Sequence, residues 1–79
     1  MALTLAELRP GQEAVIKDLL GEAAENQRLM HMGVVEGCDV QLVRKAPSGD
    51  PIEISLMGYA LSLRKQDAER IVVDLPLAQ

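Results

Sequence analysis

The sequence predicts a mainly β domain, a small barrel of about five short strands with one α-helix and short helical turns. Two observations carry this. From Val40 to Arg64 the chain reads VQLVRK-APSGDP-IEISLM-G-YALSLR, three runs separated by turn residues. In the middle run Ile52, Ile54 and Leu56 alternate with Glu53, Ser55 and Met57, and a period of two sends the aliphatic set to one face of a strand. The other observation is Glu22 to Met32 (EAAENQRLMHM), rich in helix formers and without glycine or proline. Several short strands with one oily face bury it most simply by curling into a barrel, which also removes exposed edges.

Each element has a local reason. Thr4 to Leu8 reads as one capped turn, with Thr4 as N-cap and Glu7 at the capping-box position. Pro10-Gly11 suits the centre of a type II turn leading into a strand, Glu13 to Leu20, β-branched at Val15 and Ile16 but imperfect in its alternation. In the helix, acids gather at the start and Arg28 and His31 near the end, as the helix dipole prefers. Leu29 and Met32 share the face that packs on the sheet, and Gly33 is placed as the left-handed residue that ends the helix. Glu36-Gly37 makes a turn into the first strand of the meander, where Val40 and Leu42 face inward and Val43 blurs the pattern. In the third strand Tyr59, Leu61 and Leu63 oppose Ala60, Ser62 and Arg64. Ser48-Gly49-Asp50-Pro51 makes the wider return and Gly58 the tight one. Lys65 to Arg70 reads as one helical turn and Ile71-Val72-Val73 as the last strand. Residues 1–75 form the domain and 76–79 a frayed tail.

Composition narrows the function classes. Seventy-nine residues make one domain with a small core. The net charge is −4, with twelve acids against eight bases, and Tyr59 is the one aromatic residue. Nucleic-acid binding is not expected, because phosphate neutralisation needs an excess of bases and base stacking needs aromatic platforms. A proline-helix groove, lined by several aromatics, is excluded on the same ground. One cysteine fits a reducing compartment, and the first residues, MALTLAELRPGQ, read neither as a leader nor as a membrane span. A cytoplasmic protein is expected.

Chemistry is sparse. His31 has no Ser or Cys partner in a recognised arrangement, and Gly49-Asp50-Pro51 lacks the lysine and Ser/Thr of a phosphate loop, so catalysis is not expected. Met30, His31, Met32 and Cys38 are soft or borderline metal ligands, with Glu36 and Asp39 supplying oxygen. The favoured reading keeps Met30 and Met32 in the core, Cys38 as a small buried hydrophobe and His31 in solvent. A metal site on His31 and Cys38 falls short of the four ligands a closed zinc site takes, so no cofactor is required. Divalent Fe2+ or Zn2+ would bind weakly, or between two copies of the chain. The bases give a better lead. Arg44 and Lys45 end the first meander strand and Arg64 and Lys65 end the third. These strands run the same way, so both pairs emerge at one rim, about 10 Å apart. The alternative is that Glu53, Asp67 and Glu69 neutralise them on the surface, for little energy.

The residues Leu5, Leu8, Pro10-Gly11, Arg28-Leu29, Met32-Gly33, Gly37, Val40, Gly49-Asp50-Pro51-Ile52, Gly58-Tyr59 and Leu61-Ser62-Leu63-Arg64 follow one another in an order and spacing that resembles the FeoA family. Glu36 before Gly37 departs from the proline often found there, and His31 and Cys38 are particulars of this chain. The resemblance implies an SH3-like barrel and a role as accessory to FeoB, the membrane iron transporter with a cytosolic GTP-binding domain. It places the protein in the cytoplasm, at the inner face of the membrane through that partner. A metal-responsive regulator that changes oligomeric state with Fe2+ or Zn2+ is the alternative. The SH3-like C-terminal domain of iron-dependent repressors is related too, though with no helix-turn-helix in these residues a free-standing protein is expected.

Overall fold

The meander forms as its alternation requires. In a computed structural model, which describes residues 3–76, the strands are β1 (Leu3–Thr4), β2 (Glu13–Leu19), β3 (Asp39–Lys45), β4 (Ile52–Leu56), β5 (Tyr59–Leu63) and β6 (Ile71–Asp74). Helix α1 spans Ala23–His31, α2 spans Lys65–Ala68, and a 3-10 turn covers Leu5–Glu7. All the ladders are antiparallel, in the order β1-β6-β2-β3-β4-β5. The fold is the small mainly β one expected, with two differences. There are six strands, because the two residues before the capped turn pair with β6, Leu3 with Val73 and Thr4 with Val72. Two residues carry too little pattern to be read as a strand. Secondly, the hydrogen-bonded order ends at β1 and β5, which do not pair among the described residues, so the sheet curls without closing. Of the tail 76–79, Pro76 is exposed and the rest lies outside the described residues.

The core is aliphatic. Ile16, Leu42, Ile52, Ile54, Leu56 and Ile71 from the strands meet Leu5, Leu8, Leu29 and Val34, all essentially inaccessible. Both irregular alternations in the sequence have a cause in the ladder. The β2–β6 register shifts between Ile16 and Asp18, and the β3–β4 register between Leu42 and Arg44, so Lys17 and Val43 sit in bulges. Val43 is accordingly exposed, and every residue beyond it changes face.

The predicted turns and caps form. The Thr4 amide donates to Glu7 Oε1 at 2.7 Å, and Gln12 N–H to the Arg9 carbonyl across Pro10-Gly11 at 3.0 Å. Met57 and Gly58 both take positive φ, 50° and 87°, the mirror-image type I′ turn that matches strand twist. At the end of α1, Gly33 N–H donates to Met30 O and Val34 N–H to Leu29 O, each at 3.0 Å. These two bonds satisfy carbonyls the helix leaves open, and they require the left-handed backbone of Gly33, φ 100°.

Candidate functional site

The bulge at Val43 decides where the predicted rim cations point. Without it, Arg44 would share the inward face of Leu42. With it, Arg44 pairs with Glu53 on the outer face, and Lys45 pairs with Ile52 on the core face. Arg44 Nε then lies 2.8 Å from Glu53 Oε1, while Lys45 turns across the barrel end and its Nζ donates to the Ala6 carbonyl at 2.7 Å. Lys45 is half-buried and anchors the 3-10 turn. Arg64 and Lys65 lie at the same rim, since Lys45, Ile52 and Leu63 form one row across three strands. Arg64 is the N-cap residue of α2, and the Lys65 amide donates to Asp50 Oδ1 at 3.0 Å. Both side chains are exposed and make no ion pair among the described residues. The rim therefore brings the four bases to one end but leaves Arg64 and Lys65 as its free cations. Of the acids expected to neutralise the four bases, Glu53 alone does so among the described residues, by pairing with Arg44. Asp67 is buried and takes Arg28 instead, at 3.2 Å.

The metal candidates separate along the chain. His31 is exposed at the last turn of α1, and Cys38 is half-buried against the core one residue before β3. Among the described residues no three His, Cys, Asp or Glu side chains converge as a metal site would need. Met32 packs on the core as expected, whereas Met30 is 43% exposed.

Beyond the rim and the metal candidates lies an arrangement that spacing did not reveal. The hydroxyl of Tyr59, at the start of β5, donates to the Met32 carbonyl at the end of α1. This ties the β4–β5 hairpin to the helix across Gly33, whose missing side chain leaves room for the hydroxyl. Alternation alone puts Tyr59 inside. On an edge strand the ring is instead 43% exposed, and its polar tip finds a backbone acceptor. Glu25 and Arg70 form a second tie, 2.6 Å between Oε1 and Nη1. The Glu25 carboxyl is held below its ordinary pKa chiefly by the Glu22 amide, then by the Arg70 guanidinium.

Comparison with known proteins now has a fold to stand on. The FeoA domain model matches residues 3–75. The chain belongs to the FeoA family. A curated relative, the Fe(2+) transport protein A/Fe(2+) transporter FeoB fusion protein of Porphyromonas gingivalis, is 38% identical over 73 residues. That match covers 92% of this chain and 9% of the fusion protein, so the chain spans about one-eleventh of that relative's length. The solution structure of FeoA from Chlorobium tepidum superposes with a TM-score of 0.90 at 36% identity, covering 98% of this chain and 73% of that one. Stenotrophomonas maltophilia FeoA complexed with zinc, described as a prokaryotic SH3 domain protein, gives 0.80 at 34% identity, with 91% and 89% covered. A manganese-dependent transcriptional repressor gives 0.84 at 14% identity and covers 95% of this chain and 42% of that one, a likeness of fold alone. The SH3-like expectation is thereby met.

Proposed function

We propose that this FeoA-family domain is a binding module of ferrous iron uptake, docking on the cytosolic GTP-binding part of a FeoB-type transporter and modulating it without catalysis. The observation that carries this is the relative in which a matching domain shares one polypeptide with the transporter. Covalent fusion raises the effective concentration of one module at the other, which is useful when the contact between them is weak. The absence of any helix among the described residues long and apolar enough to cross a membrane is compatible with docking from the cytoplasm.

The basic rim is the proposed docking surface. Arg44, Arg64 and Lys65 are exposed on a domain whose net charge is −4, and a concentrated cationic end steers such a molecule toward an acidic face. Arg64→Glu together with Lys65→Glu is expected to slow association with the purified cytosolic part of the transporter while leaving the fold intact. The difference should shrink in roughly 0.5 M salt, where the Debye length falls toward a few ångströms. Wild-type association of the folded double variant at low salt refutes the rim.

The zinc complex of the Stenotrophomonas protein favours a second reading, metal-linked association of two copies. His31 and Cys38 would each supply part of a shared site, since among the described residues neither belongs to a group of three potential ligands. Sedimentation with and without Zn2+ or anaerobic Fe2+ tests it: a metal-dependent dimer lost in His31→Ala or Cys38→Ala supports this reading, and a metal-independent monomer refutes it.

A further inference from the structure

Strand β5 is the longer of the two sheet edges among the described residues, and its own residues do nothing to block further pairing. Edge strands in stable proteins usually carry lysine, proline or a bulge that blocks further pairing. Tyr59-Ala60-Leu61-Ser62-Leu63 has none of these, and its ladder to β4 is regular. The two-residue turn makes Leu56 and Tyr59 a hydrogen-bonded pair, so Leu61 and Leu63 also bond to β4. The N–H and C=O groups of Ala60 and Ser62 therefore point outward. Both residues are exposed, and no other backbone group of the described residues bonds to them.

What this edge faces narrows the occupant. Helix α1 runs alongside, its end tied to the start of β5 by the Tyr59–Met32 hydrogen bond. Beside the last residues of β5 lies a groove of about 480 Å3, walled by Glu25, Arg28 and Met32 on one side and Ser62, Leu63 and Arg64 on the other, with Gln66 and Asp67 of α2 completing its lining. With a helix beside it, the edge admits a single extended segment more readily than the edge of a second folded copy. The other edge, β1, has two residues among those described, a poor match for head-to-tail pairing with β5. The charges point the same way. Glu25 is engaged by Arg70, and Arg28 by Asp67, which leaves Arg64 as the unmatched charge of the groove.

We propose that the groove between α1 and β5 receives an extended segment of the FeoB-type partner as an added strand along β5, with a carboxylate of that segment on Arg64. The four outward backbone groups of Ala60, just before the groove, and Ser62, within it, supply main-chain pairing, Met32 supplies an apolar contact, and Arg64 fixes the register. The inference rests on the docking reading above and gives it a place on the molecule.

Hydrogen exchange followed by NMR on the labelled chain tests it, with the purified cytosolic part of the transporter from the same organism as the probe. The Ala60 and Ser62 amides should exchange rapidly in the free domain and at least about tenfold more slowly in the complex. Ser62→Pro removes only an N–H that β4 does not use, so the variant should fold and bind at least about tenfold more weakly. Ala60→Pro, which likewise removes an outward N–H that β4 does not use, provides the same binding test if the Ser62 variant fails to fold. A complex that forms while these amides stay fast overturns the added strand and leaves docking at the rim standing. No complex with the wild-type chain overturns both. Protection that appears on self-association of the free domain, in sedimentation at high concentration, assigns the edge to a second copy and likewise overturns the proposal.

Discussion

Replacing Gly33 by alanine tests the tie between helix and hairpin most directly. Gly33 has φ 100°, and a Cβ there falls on the Tyr59 hydroxyl and within 3.2 Å of Leu56 Cδ2. Gly37 is its natural control, with φ 88° and nothing within 4 Å of an added Cβ. Both substitutions force an L-residue into left-handed backbone, which costs about 1 kcal/mol and cancels in the comparison. Gly33→Ala in addition displaces the Tyr59–Met32 hydrogen bond, about 1 kcal/mol, and disturbs fully buried Leu56. The expected totals are about 1 kcal/mol for Gly37→Ala and roughly 2–3 kcal/mol for Gly33→Ala. For a domain of this size each kcal/mol moves Tm by roughly 4–8 °C, so thermal melts followed by circular dichroism should separate the two by on the order of 10 °C. In a Tyr59→Phe background the hydroxyl is gone and the excess cost of Gly33→Ala should fall toward the Gly37 value. Two alanine variants melting within about 2 °C of each other would refute the reasoning, as would an excess that survives unchanged without the hydroxyl.

Two further outcomes follow from burial and charge. Ile54→Asp places a carboxylate at a position with no accessible surface and should cost about 4 kcal/mol, enough to unfold much of a small domain, whereas Glu53→Ala loses one surface ion pair, half-buried on the Glu53 side, with Arg44 and should cost under about 0.5 kcal/mol. Equal urea midpoints for the two would contradict the register. Folding lowers the Glu25 pKa, so its contribution is complete above the unfolded value of about 4.3 and is lost as pH falls through the lower folded value. The melts of wild type and Glu25→Gln should therefore converge in acid, and a gap that widens below about pH 4 would contradict the Glu22 and Arg70 contacts.

The parts of the fold that were legible in the sequence are those in which one local rule acts alone. The period of two in Ile52–Leu56 and the glycine at Gly33 each correspond to one geometry, and both are found. What escaped were features set by a partner strand. The two residues of β1 are strand only because β6 offers its edge, and the bulge at Val43 exists only relative to the unbroken ladder of β4. Openness between β1 and β5 is likewise a property of the whole sheet. A pattern of aliphatic alternation fixes which face is buried, but says nothing of whether the last strand meets the first.

The same distinction explains the candidate site. Strand polarity correctly brings Arg44, Lys45, Arg64 and Lys65 to one rim, because polarity follows from the number of turns. Side-chain direction does not, and one extra residue in β3 turns Lys45 inward to Ala6 while sending Arg44 out to Glu53. A sequence shows Val43 as a blur in the alternation, and that blur was the available signal that the two bases beyond it exchange faces. The outward amides of Ala60 and Ser62 are subtler still. Their residues are small and uncharged, so nothing in the composition draws the eye to them. They become a candidate surface only when the turn at Met57-Gly58 sets the hydrogen-bonding phase of β5 and α1 settles beside it. If a docking surface is built from backbone groups in this way, then charge reversal at the rim will chiefly alter how fast the partner arrives. A proline at Ser62 will alter how long it stays.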